Sequence, residues 1–370
     1  MNKQVDEVRG AGRPTMKDVA SKAGVALKTV SRVVNGEPGV TEATASRVLG
    51  AIEDLGFRRN ESARLLRTGQ TATLGFIARD WTDPDHAAVY RGLEEVARGN
   101  GYLLYSGSTD RDPEREEQLA VAMFARRVDG LIVIPTAGSH DYLLPELEAG
   151  VAAVFVLRPP AWADGRGPSV DAVLPDERGG GRAGVAHLIG QGHRRIGFIG
   201  GGGVGGGVGG GGGVGGASVG GGGGSSSSSA GVGTLSHRSA ELLAGYTEAM
   251  TAAGLSVDPA WTTLTIEQLP QASVTALLCA DRAQTEAALR ALANVSADGA
   301  DGYGGDRGQR RTIVGFGDFA LADLVSPPVS VLSYDCVLIG RTAGELLIRR
   351  LAGEQAPPRT VHVPVRLITR

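Results

Sequence analysis

A short stretch near the amino end concentrates side chains suited to reading a polynucleotide. Leu27, Lys28, Thr29, Ser31 and Arg32 follow one another within two helical turns. The planar fork of an arginine matches the paired acceptors on the major-groove edge of guanine, so Arg32 can form a bidentate contact there. Thr29 and Ser31 carry short hydroxyls that suit phosphate oxygens, contacts that fix register and not sequence. Leu27 offers an apolar surface, for example to a thymine methyl.

Chemistry of this kind needs a rigid mount, and the flanking residues supply one. Thr15 precedes Met16-Lys17-Asp18-Val19-Ala20, with Asp18 three residues on in capping-box position. Val19, Ala20 and Ala23 give that helix an apolar face, and Gly24 breaks it with a tight turn. A second helix is predicted from about Leu27 to Val34, with Val30, Val33 and Val34 facing inward. Asn35, Gly36, Pro38 and Gly39 form a loop. Thr41 is expected to cap a third helix in which Ala45, Val48, Ile52 and Leu55 recur at helical spacing, and Gly56 ends it. Two short helices joined by a glycine turn and braced by a third make a helix-turn-helix unit over 15–59. A two-turn helix pattern follows, with a cap at Asn60 and a stop at Gly69, in a linker over 60–70. So short a helix is marginal alone. Ordered on DNA, it could push a leucine between base pairs in the minor groove.

Charge and composition agree with that division. Residues 1–70 carry a balance of +4, while the other 300 carry −7. A basic end on an acidic body is the layout of a nucleic-acid reader with a separate regulatory part. At 370 residues the chain should hold two or three domains. With 42% hydrophobic and 21% charged residues it is a soluble globular composition. There is no run of about 18 apolar residues, so no membrane span is expected. Residues 1–14 are polar and read as a disordered arm, without the apolar stretch of an export signal. Two cysteines do not make a disulfide framework, and a cytoplasmic location fits best.

From residue 71 apolar strands alternate with amphipathic helices. Strands are predicted at 73–78, 102–106, 130–134 and 152–157, with helices at 85–98, 113–126 and 142–148 between them. A second series begins near Ser169: strands at 170–174, 195–199, 274–279, 312–316, 329–332 and 361–368, and helices at 176–190, 239–253, 282–293 and 334–351. Such alternation means parallel sheets covered on both faces. Two α/β halves with a cleft between them suit a small ligand at the strands' carboxyl ends.

The run Thr15-Met-Lys-Asp-Val-Ala-Ser-Lys-Ala-Gly-Val-Ala-Leu-Lys-Thr-Val-Ser-Arg-Val-Val-Asn-Gly resembles the headpiece of the lactose/galactose-repressor family of bacterial transcription regulators. Ala63-Arg-Leu-Leu-Arg-Thr-Gly resembles that family's hinge helix. The resemblance implies that Leu27 and Lys28 occupy variable specificity positions and that Arg32 contacts a base. It implies that Leu66 is a minor-groove lever with Ala63 beside it. Thr15, Lys17, Thr29, Ser31, Asn35 and Asn60 complete the expected DNA-binding set. The family's usual serine after Gly-Val is Ala26 here. The body is similar to the same family and to type I periplasmic-binding-protein-like domains. That likeness is carried by Asp112-Pro-Glu-Arg-Glu, Arg126-Arg-Val-Asp-Gly-Leu-Ile-Val, Gly192-His-Arg-Arg-Ile-Gly-Phe-Ile-Gly, Leu243-Ala-Gly-Tyr, Val314-Gly-Phe-Gly-Asp-Phe and Gly340-Arg-Thr-Ala-Gly-Glu-Leu-Leu. It implies an all-α helix-turn-helix headpiece followed by a two-lobed α/β effector-binding and dimerisation domain over 71–370. Chain crossings between lobes are expected near Val170, Tyr334 and Ala356. The lobes would then be about 71–170 with 335–355, and 171–334 with 356–370.

The pocket departs from the family pattern. Four usually polar positions hold Leu157, Leu242, Ala280 and Gly317. Losing several buried hydrogen bonds would cost a sugar roughly 1–3 kcal/mol each. Either the effector is not a simple sugar or other groups hold it. Trp81, Asp83, Arg158, Asp281, Asp318 and Asp335 are the candidates.

Gly200 to Gly224 holds 19 of the 58 glycines and runs into Ser225–Ser229. It lacks the Gly-Lys-Ser/Thr end of a phosphate loop and the spacing of a dinucleotide fingerprint. It reads as a flexible Gly/Ser insertion over 200–233, with a second, polar insertion over 296–311. The six histidines show no metal-ligand pairing, and no nucleophile elbow appears. No cofactor, metal or enzymatic activity is expected. The sequence therefore reads as a DNA-binding regulator, a repressor acting as a homodimer on a pseudo-palindromic operator and tuned by a small effector. Without a heptad tail, a coiled-coil tetramer is not expected. A regulator that has lost its effector response stays open as an alternative, with a solute-binding protein and an α/β enzyme behind it.

Overall fold

The computed structural model describes residues 14–57, 70–200, 235–297, 311–320, 322–325 and 329–370. It divides into two compact units, Met1–Thr71 and Ala72–Arg370.

The first unit is built from helices α1 (Met16–Ala23), α2 (Leu27–Asn35) and α3 (Glu42–Leu55). The capping box at α1 is complete. The Thr15 amide and hydroxyl each donate to Asp18 Oδ2 at 2.7 Å, and the Asp18 amide donates back to the hydroxyl. Gly24 takes φ 65°, a left-handed angle at which a side chain is strained, and so permits the abrupt turn into α2. Val19, Val30, Val48 and Ala51 meet in a small core that Phe57 closes. Val33 and Val34 pack at its margin. Thr41 stands at the cap position of α3, but its hydroxyl donates to Thr44 Oγ1 (2.9 Å) and no side chain caps the helix backbone.

The second unit holds two sheets. Its elements are β1 (Thr73–Ala78), α4 (Pro84–Gly99), β2 (Leu103–Ser108), α5 (Pro113–Ala125), β3 (Gly130–Val133), α6 (Leu144–Glu148), β4 (Ala152–Val156), β5 (Asp171–Pro175), α7 (Glu177–Gly190) and β6 (Ile196–Ile199). After these come α8 (His237–Ala252), α9 (Pro259–Thr262), β7 (Ala276–Cys279), α10 (Arg282–Ala297), β8 (Thr312–Phe316), β9 (Ser330–Tyr334), α11 (Cys336–Leu351), β10 (Thr360–Val363) and β11 (Val365–Ile368). The first sheet runs β10-β5-β4-β3-β1-β2 and is wholly parallel. The second runs β11-β9-β8-β7-β6 and is parallel but for β11, which lies antiparallel to β9. Strands β1, β3, β4, β6 and β7 are nearly solid runs of buried apolar residues, as sheets covered on both faces require.

Two crossings fall elsewhere than the sequence suggested. The strand at Asp171–Pro175 pairs with β4 and belongs to the first lobe, so the chain crosses after Pro175 and not near Val170. The expected single strand at 361–368 is two strands. Its first half pairs with β5 and its second with β9, so the crossing is at Pro364 and not near Ala356. Proline has no amide hydrogen to continue a ladder, which suits it to this break. The remaining crossing lies at Tyr334–Cys336, as expected, because α11 packs on α4 and on the first sheet.

Asp171 fixes the first two joints. Buried at the start of β5, it takes both Nε (2.7 Å) and Nη2 (3.1 Å) of Arg350 and accepts the Arg359 amide (2.9 Å). In each lobe one helix pair meets glycine to glycine. A Cβ on Gly340 would collide with the Val89 carbonyl of α4, and a Cβ on Gly245 with the Arg178 carbonyl of α7. His193 bridges Thr275 and Thr312 (3.0 and 2.9 Å), tying the amino ends of β6, β7 and β8. Among the described residues no helix is long and apolar enough to cross a membrane.

Candidate functional site

Each unit presents its own candidate surface. In the first, α2 follows the Gly24 turn with Leu27 46% exposed and Lys28 exposed beside it. Thr29, Ser31 and Arg32 are half-buried along the same helix, and Lys17 is exposed on α1. Asn35 bonds back to Ser31 Oγ (3.3 Å) and forward to Glu37 Oε1 (2.9 Å), so it braces the helix end as well as standing on the surface. Ala26 occupies the cap position of α2 and makes no side-chain bond. The first-turn amides of α2 thus have no side-chain acceptor from their cap, and a helix start in that condition favours anions. Asn60, Ala63 and Leu66 lie outside the described residues, as do the 60–69 helix pattern, the Gly/Ser tract from 201 and most of the 296–311 insertion.

In the second unit, the carboxyl ends of the strands turn side chains into the cleft between the sheets. Arg79 follows β1. Asp83 caps α4, accepting the Asp85 amide at 3.1 Å, and Asp85 stands in the first turn. Leu157 leaves β4 with φ 65°, a conformation costing roughly 1–3 kcal/mol for a side-chain-bearing residue. Its amide is held by the Val173 carbonyl (3.0 Å), its side chain is buried, and Arg158 comes next. From the second lobe come Arg238 in the first turn of α8 and Tyr334 at the end of β9. With His86 these side chains surround a cavity of about 20 Å³, the space of one water.

The charges are arranged asymmetrically. Arg238 Nε lies 3.0 Å from Glu177 Oε1, its Nη2 lies 3.3 Å from the Tyr334 hydroxyl, and the guanidinium stacks 5.0 Å over Phe316. Burial opposes its charge, yet Tyr334 and Glu177 hold it above the ordinary arginine value. Burial pushes the Glu177 carboxyl up even so. Burial lowers Arg79, and Arg111 and Arg238 lower it further. Burial, then Arg79 and Arg238, bring Arg158 down to about 10. Burial also lowers His86, which favours its neutral form.

Of the six expected effector residues, the structure brings Asp83 and Arg158 to this cavity. Asp281 and Asp335 cap α10 and α11, accepting the Gln284 and Leu338 amides at 2.7 and 2.8 Å. Asp318 is bonded by Arg370 at 2.9 Å. Trp81 joins an aromatic cluster with Phe76 and Tyr90. Arg79, Asp85, His86, Arg238 and Tyr334 were not found from sequence. Arg79 alone had a local signal, a cation ending an apolar strand. At the four altered positions, Leu157, Leu242 and Ala280 are buried. Gly317 takes φ 88°, which disfavours the aspartate usual there. Among the described residues no group of three His, Cys, Asp or Glu side chains is placed to hold a metal.

A helix-turn-helix unit and a two-lobed body with a charged cleft define a protein of the ligand-responsive DNA-binding class. Residues 15–60 match the model of bacterial regulatory proteins of the lacI family, and 229–370 match the periplasmic binding protein-like domain. The structure resembles that of a protein assigned as a ribose operon repressor from Burkholderia thailandensis. The two are 31% identical with a TM-score of 0.63, over 81% of this chain and 99% of that one. It also resembles the transcriptional regulator CelR in complex with cellobiose, at 27% identity and a TM-score of 0.60, over 97% and 99% of the two chains. In sequence it is 36% identical to the maltose regulon regulatory protein MalI of Escherichia coli (strain K12) over 191 residues. That match spans 52% of this chain and about half, 55%, of MalI. The chain belongs to the lacI family of bacterial regulatory proteins, whose members found here are transcription regulators and not enzymes.

Proposed function

We propose that this chain is a sequence-specific transcriptional repressor whose operator affinity is set by a small molecule in the interlobe cleft. The observation that carries the reading is the exposed face of α2, mounted on a complete three-helix core within the stretch that matches the family's DNA-binding model. Arg32 reads a base edge. Leu27 and Lys28 tune the choice of sequence, and Thr15, Lys17, Thr29, Ser31 and Asn35 hold phosphates. Residues 15–59 are the DNA-binding domain, 60–70 the linker with Asn60, Ala63 and Leu66 on the minor groove, and 71–370 the effector and dimerisation domain.

The protein works in the cytoplasm as a dimer on a pseudo-palindromic operator. Support for a dimer comes from β2, an edge strand of the first sheet, where Leu103 is 75% and Tyr105 40% exposed, and from Val121 on α5, 56% exposed. The CelR relative bound to cellobiose supports a sugar or related metabolite as effector. Ligand binding that changes lobe closure would alter DNA affinity through the linker.

Selection of bound sites from random duplex DNA by the full chain, with and without a panel of metabolites, tests this. An enriched palindrome that responds to one metabolite is the expected result. An enriched palindrome indifferent to every metabolite would leave a repressor without effector control, and no enrichment would overturn the reading.

A further inference from the structure

The geometry points to an anionic effector, a small polyhydroxy metabolite whose carboxylate or phosphate sits between Arg79 and Arg158. This rests on the cleft being the effector seat and goes on to name what the seat selects. Three guanidinium groups, of Arg79, Arg158 and Arg238, line one small cavity. Arg238 has Glu177 as its counterion. The lining carboxylates are engaged too: Asp83 and Asp85 lie 3.5 and 3.1 Å from Arg282 across the cleft. Asp80, next to Arg79 in the chain but outside the lining, pairs with Arg111 at 3.0 Å.

Arg79 and Arg158 have no direct partner, although Asp83 and Asp80 act on Arg79, and Glu177 on Arg158, at longer range. Among the described residues neither has a carboxylate within ion-pair distance, and Arg79 Nε is buried without a hydrogen-bond partner. Two half-buried cations lining one cavity repel each other in a medium of low dielectric and raise the energy of the cleft until an anion joins them. Guanidinium forks donate in paired fashion to carboxylate and phosphate oxygens alike. The opposite wall, Asp83 and Asp85, provides acceptors for hydroxyl groups. Leu157, also in the lining, offers no hydrogen-bonding side chain, so the polar contacts there fall to the charged groups. That lining favours a charged ligand over a neutral sugar. The cavity has room for about one water, so the lobes must part to admit the ligand and close on it.

The test is thermal melting of the full-length protein with inorganic phosphate, gluconate, 6-phosphogluconate and glucose 6-phosphate. Glucose and cellobiose serve as neutral counterparts, and sodium chloride matches ionic strength. At least one organic anion should raise the melting temperature by several degrees, and the gain should vanish in Arg158→Met and Arg79→Met. Calorimetry on the same ligand should show at least a tenfold loss of affinity in each variant. Without ligand, Arg158→Met should melt no lower than the parent, because it relieves like-charge repulsion. A clear drop would mean that a counterion inside the protein was missed, and would overturn the inference. Stabilisation by a neutral sugar, unchanged in Arg158→Met, would overturn the anion inference and keep the cleft as the effector seat. Stabilisation by neither class, with operator binding intact, would remove both.

Discussion

Arg282 and Asp85 join the two lobes. Nη2 of the arginine, at the start of α10, lies 3.1 Å from Oδ1 of the aspartate in the first turn of α4. Nη1 lies 3.5 Å from Asp83, and Nε donates to the Asp318 carbonyl at 2.8 Å. The Tyr334 hydroxyl donates to the other Asp85 oxygen at 3.0 Å. One arginine thereby bolts the cleft shut beside the cavity.

Arg282→Ala should release that bolt. The pair is part-exposed, so the cost is about 1–2 kcal/mol, below the 3–5 of a fully buried pair. Hydrogen exchange should quicken at the amides of 85–88 while the core of β3 keeps its protection. Unchanged exchange at 85–88 would show that the lobes are held by other contacts.

Asp171→Asn should destabilise the second unit by about 2–3 kcal/mol at neutral pH, because the half-buried Arg350 would lose its counterion. The pH dependence follows from the aspartate itself. Burial raises its pKa, but the bonds from Arg350 and the Arg359 amide outweigh burial, and the net value lies below the ordinary 3.8. A depressed folded value means that Asp171 stabilises the fold above pH ~4, and that this is lost as pH falls through the folded value. Urea unfolding between pH 6 and 2 should therefore show a shallower acid decline in the variant.

Ala26→Ser should stabilise the first unit by about 1 kcal/mol, since a serine hydroxyl can accept an amide in the uncapped first turn of α2. Melting of the headpiece signal reads the gain directly. A lower melting temperature would mean that the new hydroxyl is sterically misplaced.

Arg32→Ala should lower affinity for the selected operator by about 1–3 kcal/mol and leave weak, salt-sensitive binding in place. Titration against operator and scrambled DNA separates the two. Equal loss on both would assign Arg32 to phosphate and not to a base.

Leu103→Glu, on the exposed edge of β2, should shift the protein from dimer to monomer in sedimentation and weaken operator binding more than tenfold, with little change in monomer stability. A persistent dimer would place the interface on another face.

The headpiece was legible because its signals are local: caps, glycine turns and helical spacing all act within a few residues of Thr15–Gly56. The apolar strands were legible for the same reason. What the sequence hid was non-local. Asp171–Pro175 looks like the start of a second half until Arg350, 179 positions away, is seen to clamp it beside β4. The cavity joins Arg79 to Arg238 and Tyr334 through topology, which no spacing announces. Two site candidates that do not line the cavity share a local feature. Asp281 and Asp335 each stand just before a helix, the position where an aspartate is commonly taken up as a cap.

The paired strands at Pro364 set an order of birth. The headpiece is contiguous and complete once residue 57 has been made. Neither sheet of the body is complete until residues 360–368 arrive, because β10 closes the edge of β5 and β11 the edge of β9. A nascent or truncated chain thus carries a finished DNA-binding head on a body with two open strand edges, each able to pair with a neighbouring chain. Synthesis must pass residue 368 before both sheets of the body have all their strands.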